Sequence, residues 1–178
     1  LGSVSLRHSL TVALPPPGYS SSRPHVFALQ LPTGGVYLFQ AASPDLVAEW
    51  VSECNYWAAR ESKEPLAGGV DNREYGWVGN FHLDTTITNI ADWSIPQPSM
   101  LRSKTDERGQ LRALLKHIAT LEADLLAHKE LRDNVDKWPA RSPAHAKAFA
   151  NWERKSQFLL RELIKYQTYA DILQQAVT

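Results

Sequence analysis

Apolar and polar positions alternate in three short runs near the N-terminus and then recur at spacings of three and four over most of the remaining chain. The run "VSLRHSLTVAL" (Val4–Leu14) is rich in aliphatic and β-branched residues and predicts a strand. "PPPGYSSSR" (Pro15–Arg23) ends it with turn formers. "HVFALQL" and "GVYLFQA" predict two further strands, joined by "PTGG" at hairpin spacing. Alternation puts Phe27, Leu29 and Leu31 on one face of the second strand, and Val36, Leu38 and Gln40 on one face of the third. The period then changes. Ser43 suits an N-cap, Pro44 the first helical position and Asp45 the positive end of the helix dipole. Leu46, Val47, Trp50, Val51, Cys54 and Trp57 follow at helical spacing. They predict a helix of about 16 residues with a buried stripe.

Glu64–Ser99 sustains no period, yet its Tyr75, Trp77, Phe81 and Trp93 argue against a free linker, since disordered segments are poor in aromatics. An ordered connector draped over the domain is expected. Beyond "PQP", Leu111, Leu114, Ile118, Leu121 and Leu125 form a heptad-like seam that runs out near Asp133. Gly109 weakens the start of that helix by about 1 kcal/mol. Pro139 stops it, and Ser142 with Pro143 opens the next. Phe149, Trp152, Leu159, Leu163, Tyr166 and Leu173 make a second seam of the same spacing. Two such helices with a short connection predict an antiparallel hairpin, and pairing within one chain is favoured over a coiled-coil dimer because the seams match in length.

Charge separates the two halves of a chain whose net charge is zero. Residues 1–92 carry five Lys/Arg against nine Asp/Glu, and residues 93–178 carry fourteen against ten, so affinity for acidic partners is expected in the C-terminal half. The single cysteine, Cys54, permits no intrachain disulfide and fits a reducing, cytoplasmic setting. No run approaches the roughly 18 apolar residues of a membrane span. The opening "LGS" looks like the remnant of a cleaved tag and is set aside (residues 1–3).

Three strands followed by an amphipathic helix with a central tryptophan resemble the last part of a pleckstrin homology (PH) domain. "RPHVF" (Arg23–Phe27), "LFQA" (Leu38–Ala41) and Trp50 carry a closer resemblance, to the PH domain of the pleckstrin-and-Sec-seven type exchange factors for ARF GTPases. "KEPLAGGVDNREYGW" and "ANWERKSQFLLRELIKYQTYADIL" look like the connector and helical region of the fungal-type members. The resemblance implies an α+β fold: the C-terminal portion of a PH-like β-sandwich (residues 4–62) with a capping helix whose Trp50 packs into the core. An aromatic connector (63–99) and an antiparallel two-helix hairpin (100–178) follow. It implies peripheral attachment to phosphoinositide membranes and a link to an ARF-type small GTPase. The catalytic Sec-seven module and the first four PH strands are not in this sequence, so no catalytic residue is assigned. The basic cluster with which many PH domains grip headgroups belongs mostly to those strands, which leaves Arg7, in the first strand, and Arg23, beside the second. A sheet of three strands leaves an unpaired edge. The absent strands are therefore expected from another segment, from a partner chain, or from a second copy that makes a homodimer through that edge.

Other chemistry weighs little. His117 and His128 share a helix but stand about 16 Å apart along it, too far for one metal. His25 suits the ordering of a strand start. Gly34–Gly35 and Gly68–Gly69 fit a hairpin turn and a bend rather than a phosphate loop. Cys54 lies on the apolar stripe and is expected in the core, and the serines of "GYSSSR" read as loop. No cofactor, metal or catalytic site is expected, and nothing interleaves basic with aromatic residues as nucleic-acid binding would. Lys147, Arg154 and Arg161 recur every seven residues, with Lys165 nearby, on the outermost face of the last helix. They form either a solvated helix back or a contact for anionic lipid.

Overall fold

The computed structural model describes residues 2–63, 72–77 and 90–178. Phe81, His82 and Gly68–Gly69 lie outside them. Strands β1 (Leu10–Ala13), β2 (Val26–Gln30) and β3 (Val36–Gln40) form one antiparallel sheet in that order. β1 pairs with β2 through Thr11↔Leu29 and Ala13↔Phe27; β2 pairs with β3 through Phe27↔Phe39 and Leu29↔Tyr37. The predicted hairpin closes at "PTGG", where Leu31 N–H donates to the Gly35 carbonyl at 2.8 Å. Helix α1 spans Pro44–Glu61, and Ser43 Oγ accepts the Leu46 amide as its N-cap at 3.2 Å. A 3₁₀ turn at Asn72–Tyr75 precedes α2 (Glu107–Glu130), the short α3 (Arg132–Val135) and α4 (Pro143–Val177). Ser142 Oγ caps α4 through the His145 amide at 3.1 Å. The expected α+β class holds: a three-stranded antiparallel sheet followed by helices.

The chain divides into two compact units. One comprises Leu1–Pro65, Gln97–His117 and Lys165–Thr178; the other comprises Leu66–Pro96 and Ile118–Ile164. The first, the sheet unit, carries α1 on the face of Thr11, Phe27 and Phe39, where the Phe27 ring stacks on Phe39 at 5.3 Å and on Trp50 at 6.4 Å. The second, the aromatic unit, closes around Trp77, Ile90, Trp93, Val135 and Ala148. Tyr75, Trp77 and Trp93, among the connector's described residues, supply that core or pack against it. Gly76 beside it has φ +85°, and a Cβ there would stand 2.7 Å from the Ala148 methyl, so only glycine fits. In the sheet unit His117 of α2 meets Tyr166 of α4 edge-on at 4.6 Å. In the aromatic unit His128 stacks on Trp152 at 5.4 Å. The later α2 residue meets the earlier α4 residue, the antiparallel sense expected of the seams. Leu111, Leu114, Leu121, Leu159, Tyr166 and Leu173 of those seams are buried.

Two expectations fail in the sheet unit. The first strand is four residues long, because the chain turns at Leu6–Ser9 with His8 at φ +58°; Arg7 is therefore in a turn, outside the strand. The cost of that left-handed residue is offset by His8's hydrogen bonds, described below. The α1 stripe is also only partly covered. Val47 is buried, but Leu46 and Trp57 are exposed and Trp50 is 55% exposed, so Trp50 does not pack into the core. The sheet reaches Trp50 through the Phe27 ring. What α1 does bury is the line Asn55, Ala58 and Ala59. Cys54 is half-buried rather than core, and burial raises its thiol pKa.

Candidate interaction surfaces

The sheet unit is held by polar side chains that the hydrophobic pattern does not announce. His8 is 1% exposed. Its backbone amide donates to Ser62 Oγ at 2.7 Å, and its Nε2 lies 3.0 Å from the Ser99 carbonyl. A carbonyl only accepts, so the proton sits on Nε2, and Nδ1 faces the Tyr166 hydroxyl at 3.4 Å as acceptor. That tautomer is neutral. Burial first, and then the Lys165 ammonium, lower the His8 pKa to about 4 against the pull of the Ser99 carbonyl; Arg7 and His117 lower it a little further. Gln110 of α2 donates to the carbonyls of Ala59 and Ser62 at 2.9 and 2.6 Å, satisfying the C-terminal end of α1.

Asn55 matters most for the shape of the sheet. Its Oδ1 accepts the Thr11 amide at 2.9 Å, and its Nδ2 donates to the Thr11 carbonyl at 2.8 Å, as a neighbouring strand would. Tyr169 donates its hydroxyl to the Ser9 carbonyl on the same edge. The aromatic unit repeats the device. Asn151 of α4 accepts the Trp93 amide and donates to the Ala91 carbonyl, both at 2.8 Å. Sequence reasoning passed over both asparagines; the one signal was an Asn, a weak helix former, inside a strong helix.

The predicted basic residues are placed as follows. Arg7 is held inward: its guanidinium donates to the Met100 carbonyl at 2.9 Å and lies 3.5 Å from the Glu61 carboxylate. Arg23 sits in the exposed turn before β2, over the Tyr19 ring at 5.9 Å. Because β1 and β2 are antiparallel, Arg7 and Arg23 lie at opposite ends of the sheet, and no basic pocket joins them. In the aromatic unit Lys147 pairs with Asp92 at 3.5 Å. Arg154 and Arg161 are exposed on the same helix, with no ion-pair partner among the described residues. Their seven-residue spacing makes a strip roughly 20 Å long. Lys165 is only 5% exposed, against the Tyr166 ring, and does not extend the strip. Among the described residues no cluster of His, Cys, Asp or Glu could hold a metal, and no helix is long and apolar enough to cross a membrane.

Among the described residues of the sheet unit, β3 presents an open apolar surface. All five of its residues are exposed, with Tyr37 and Phe39 continuing the row begun by Trp50 and Phe27.

Comparison with known proteins fits this architecture. A pleckstrin homology domain family model matches residues 1–59. The chain is 30% identical over 185 residues to the Meiotically up-regulated gene 79 protein of Schizosaccharomyces pombe, covering 89% of this chain and 13% of that protein. It is 30% identical over 151 residues to the PH and SEC7 domain-containing protein C11E3.11c of the same organism, covering 76% of this chain and 16% of that protein. It is 25% identical over 177 residues to the Guanine-nucleotide exchange factor YEL1 of Lachancea thermotolerans, covering 86% of this chain and 28% of that protein. The chain thus spans under a third of the length of each of these curated relatives. No solved structure matches it. Its N-terminal third is a pleckstrin homology domain segment, and the chain as a whole is similar, at modest identity, to proteins named for PH and SEC7 domains and for guanine-nucleotide exchange.

Proposed function

We propose that this chain is a non-catalytic, membrane-targeting and regulatory region of a guanine-nucleotide exchange factor for ARF-type GTPases, acting in the cytoplasm at the membrane surface. The observation that carries the reading is the PH match over residues 1–59 in a chain similar to exchange-factor relatives. The exposed Arg154 and Arg161 supply an electrostatic contact for phosphoinositide-bearing bilayers, with Lys147 joining when it leaves Asp92. Arg23, on its exposed turn, is a second contact. Arg7 contributes less, because Glu61 and the Met100 carbonyl already occupy its guanidinium. The mechanism is recruitment: a tethered exchange domain meets membrane-anchored GTPase at a raised local concentration.

The test is sedimentation of the chain with vesicles that do or do not contain phosphoinositide. Each basic residue near an anionic surface is worth about 1 kcal/mol, so Lys147→Glu, Arg154→Glu and Arg161→Glu together should weaken binding by about a hundredfold or more. Unchanged binding by the triple variant would remove α4 from the lipid contact. A second reading, a protein-interaction scaffold, is favoured by the open apolar surface of β3. It predicts capture of a GTPase or another partner that survives the triple variant.

A further inference from the structure

In the sheet unit, the segment that leads into α2 carries an arginine and a hydroxyl at a telling spacing. Arg102-Ser103-Lys104-Thr105 is the one place in the 178 residues where Arg stands three positions before a Ser or Thr. Arginine-directed protein kinases read that spacing on extended backbone, gripping the guanidinium fork with carboxylates. The backbone here is of that kind. Arg102 bridges to Ser62, and Ser103 N–H donates to the Glu61 carbonyl at 2.9 Å, so the segment runs beside the end of α1 before any helix starts. Both ends of the motif are open: Thr105 is exposed, and the Arg102 side chain is 63% exposed even while paired with Glu61. α2 begins only at Glu107, and Gly109 keeps its first turn weak.

The Thr105 hydroxyl also holds something in place. Thr105 Oγ1 donates to Gln110 Oε1 at 2.8 Å, beside Ser103 Oγ, which donates to the same oxygen at 2.7 Å. Gln110 is fully buried, and its Nε2 donates to the carbonyls of Ala59 and Ser62. One amide, with its acceptor and both donors engaged, thus ties the start of α2 to the end of α1. A phosphothreonine has no hydroxyl proton to donate, and its anionic oxygens repel Oε1. Turning the amide over would offer Nε2 to the phosphate but set Oε1 against two carbonyls, so the tie is lost either way. Two guanidinium groups are within reach of the phosphate. Arg60 already donates to the Thr105 carbonyl at 3.1 Å and lies 3.9 Å from Glu107, a carboxylate that Tyr56 also holds. Arg112 lies on the other side: a Cβ on Gly109 would stand 3.4 Å from Thr105 Cβ and 3.9 Å from Arg112 Nη2.

We propose that Thr105 is a phosphorylation site for an arginine-directed protein kinase, and that its phosphate releases the Gln110 tie between α2 and α1. In the transfer the kinase's carboxylate base takes the Thr105 hydroxyl proton, Oγ1 bonds to the γ-phosphorus of magnesium ATP, the β–γ bridging P–O bond breaks, and ADP leaves. Arg60 and Arg112 then hold the phosphate through charge-assisted hydrogen bonds. No residue of the proposed lipid contact takes part, so the two readings stand or fall separately.

The test uses the whole 178-residue chain with calmodulin-dependent protein kinase, calcium, calmodulin and magnesium ATP. Mass spectrometry should find one phosphoryl group, on Thr105. Thr105→Val should lose it. Arg102→Lys keeps the charge facing Glu61 but not the fork, and should be phosphorylated several-fold more slowly. In the phosphorylated chain the Ser62 and Ser103 amides should exchange with solvent about tenfold faster, as the loss of one buried hydrogen bond implies. The Thr11 amide, held by Asn55, should exchange as before. A folded chain left unmodified while a peptide of residues 99–109 is phosphorylated overturns the proposal, since the fold would then lock the hydroxyl away. A peptide that the kinase ignores overturns it too, because the motif would not be read. Phosphate on Thr105 with unchanged exchange at Ser62 and Ser103 overturns the release of the tie.

Discussion

The sheet unit and the aromatic unit use the same polar devices and differ in how their apolar faces close. Each buries a helix asparagine that binds a neighbouring backbone as a strand would, Asn55 at Thr11 and Asn151 at Ala91 and Trp93. Each buries a histidine held by a carbonyl, His8 by Ser99 and His128 by Trp152. The tryptophans differ. Trp77 is 1% exposed, and its indole N–H donates to the Ala148 carbonyl at 3.1 Å, whereas Trp50 lies half in solvent against a single ring. The aromatic unit surrounds its tryptophans with helices and connector. The sheet unit offers a platform three strands wide, and the residues of β3 are exposed on it. Polar clamps thus fix the backbone in both units, but only surrounding elements complete an apolar core.

The contrast breaks most sharply at its two tryptophans. Trp77→Ala should cost about 3–5 kcal/mol in chemical denaturation, because it leaves a cavity in a closed core and removes the indole's hydrogen bond to the Ala148 carbonyl. Lowering the pH comes next. The His8 pKa is about 4 folded against 6.5 unfolded, so the unfolded chain binds more protons between those values. Stability from this group is fully present above pH 6.5, falls as the pH drops, and is lost near pH 4, an effect of roughly 3 kcal/mol at most. His8→Gln should flatten that part of the profile. Burial lowers the His128 pKa too, so the aromatic unit weakens with acid in the same direction. Asn55→Ala and Asn151→Ala should each cost about 2 kcal/mol, by stranding backbone groups that the amide now satisfies. Equal costs would confirm that the clamps are equivalent, and Asn55→Ala should also speed exchange of the Thr11 amide. The smallest effect is expected from Trp50→Ala, about 1 kcal/mol or less, since the ring gives up little burial. A loss at Trp50 as large as at Trp77 would mean that its face is covered in solution.

The helices and strands were legible in the sequence wherever the signal was local. Ser43 and Ser142 cap the helices that they were expected to cap, and the Leu111–Leu121 seam is buried as its spacing indicated. The closure of the α1 stripe was misread. Leu46, Trp50 and Trp57 recur at helical spacing as core residues do, but spacing records only which residues share a face, and no element among the described residues covers that part of it. Arg7 was misplaced because β propensity through Val4–Leu14 gave no sign of the left-handed turn at His8, which depends on Ser62, Ser99 and Tyr166, far along the chain. Of the basic strip, the helical spacing of Lys147, Arg154 and Arg161 was readable, but the pairing of Lys147 with Asp92 and the burial of Lys165 were not.

What the sequence determined by itself were the elements and the faces they offer: caps, turns and periodicity act between residues a few positions apart, and their energetics travel with the chain. Tertiary structure alone decided which faces are closed and which backbone edges are satisfied. The partners that close β1 are Asn55 and Tyr169, 44 and 160 residues distant from the groups they bind, and no local pattern encodes such a meeting. The same geometry leaves Val36, Leu38 and Gln40 with hydrogen-bonding groups turned outward, because a strand's inner partner fixes which of its groups face away.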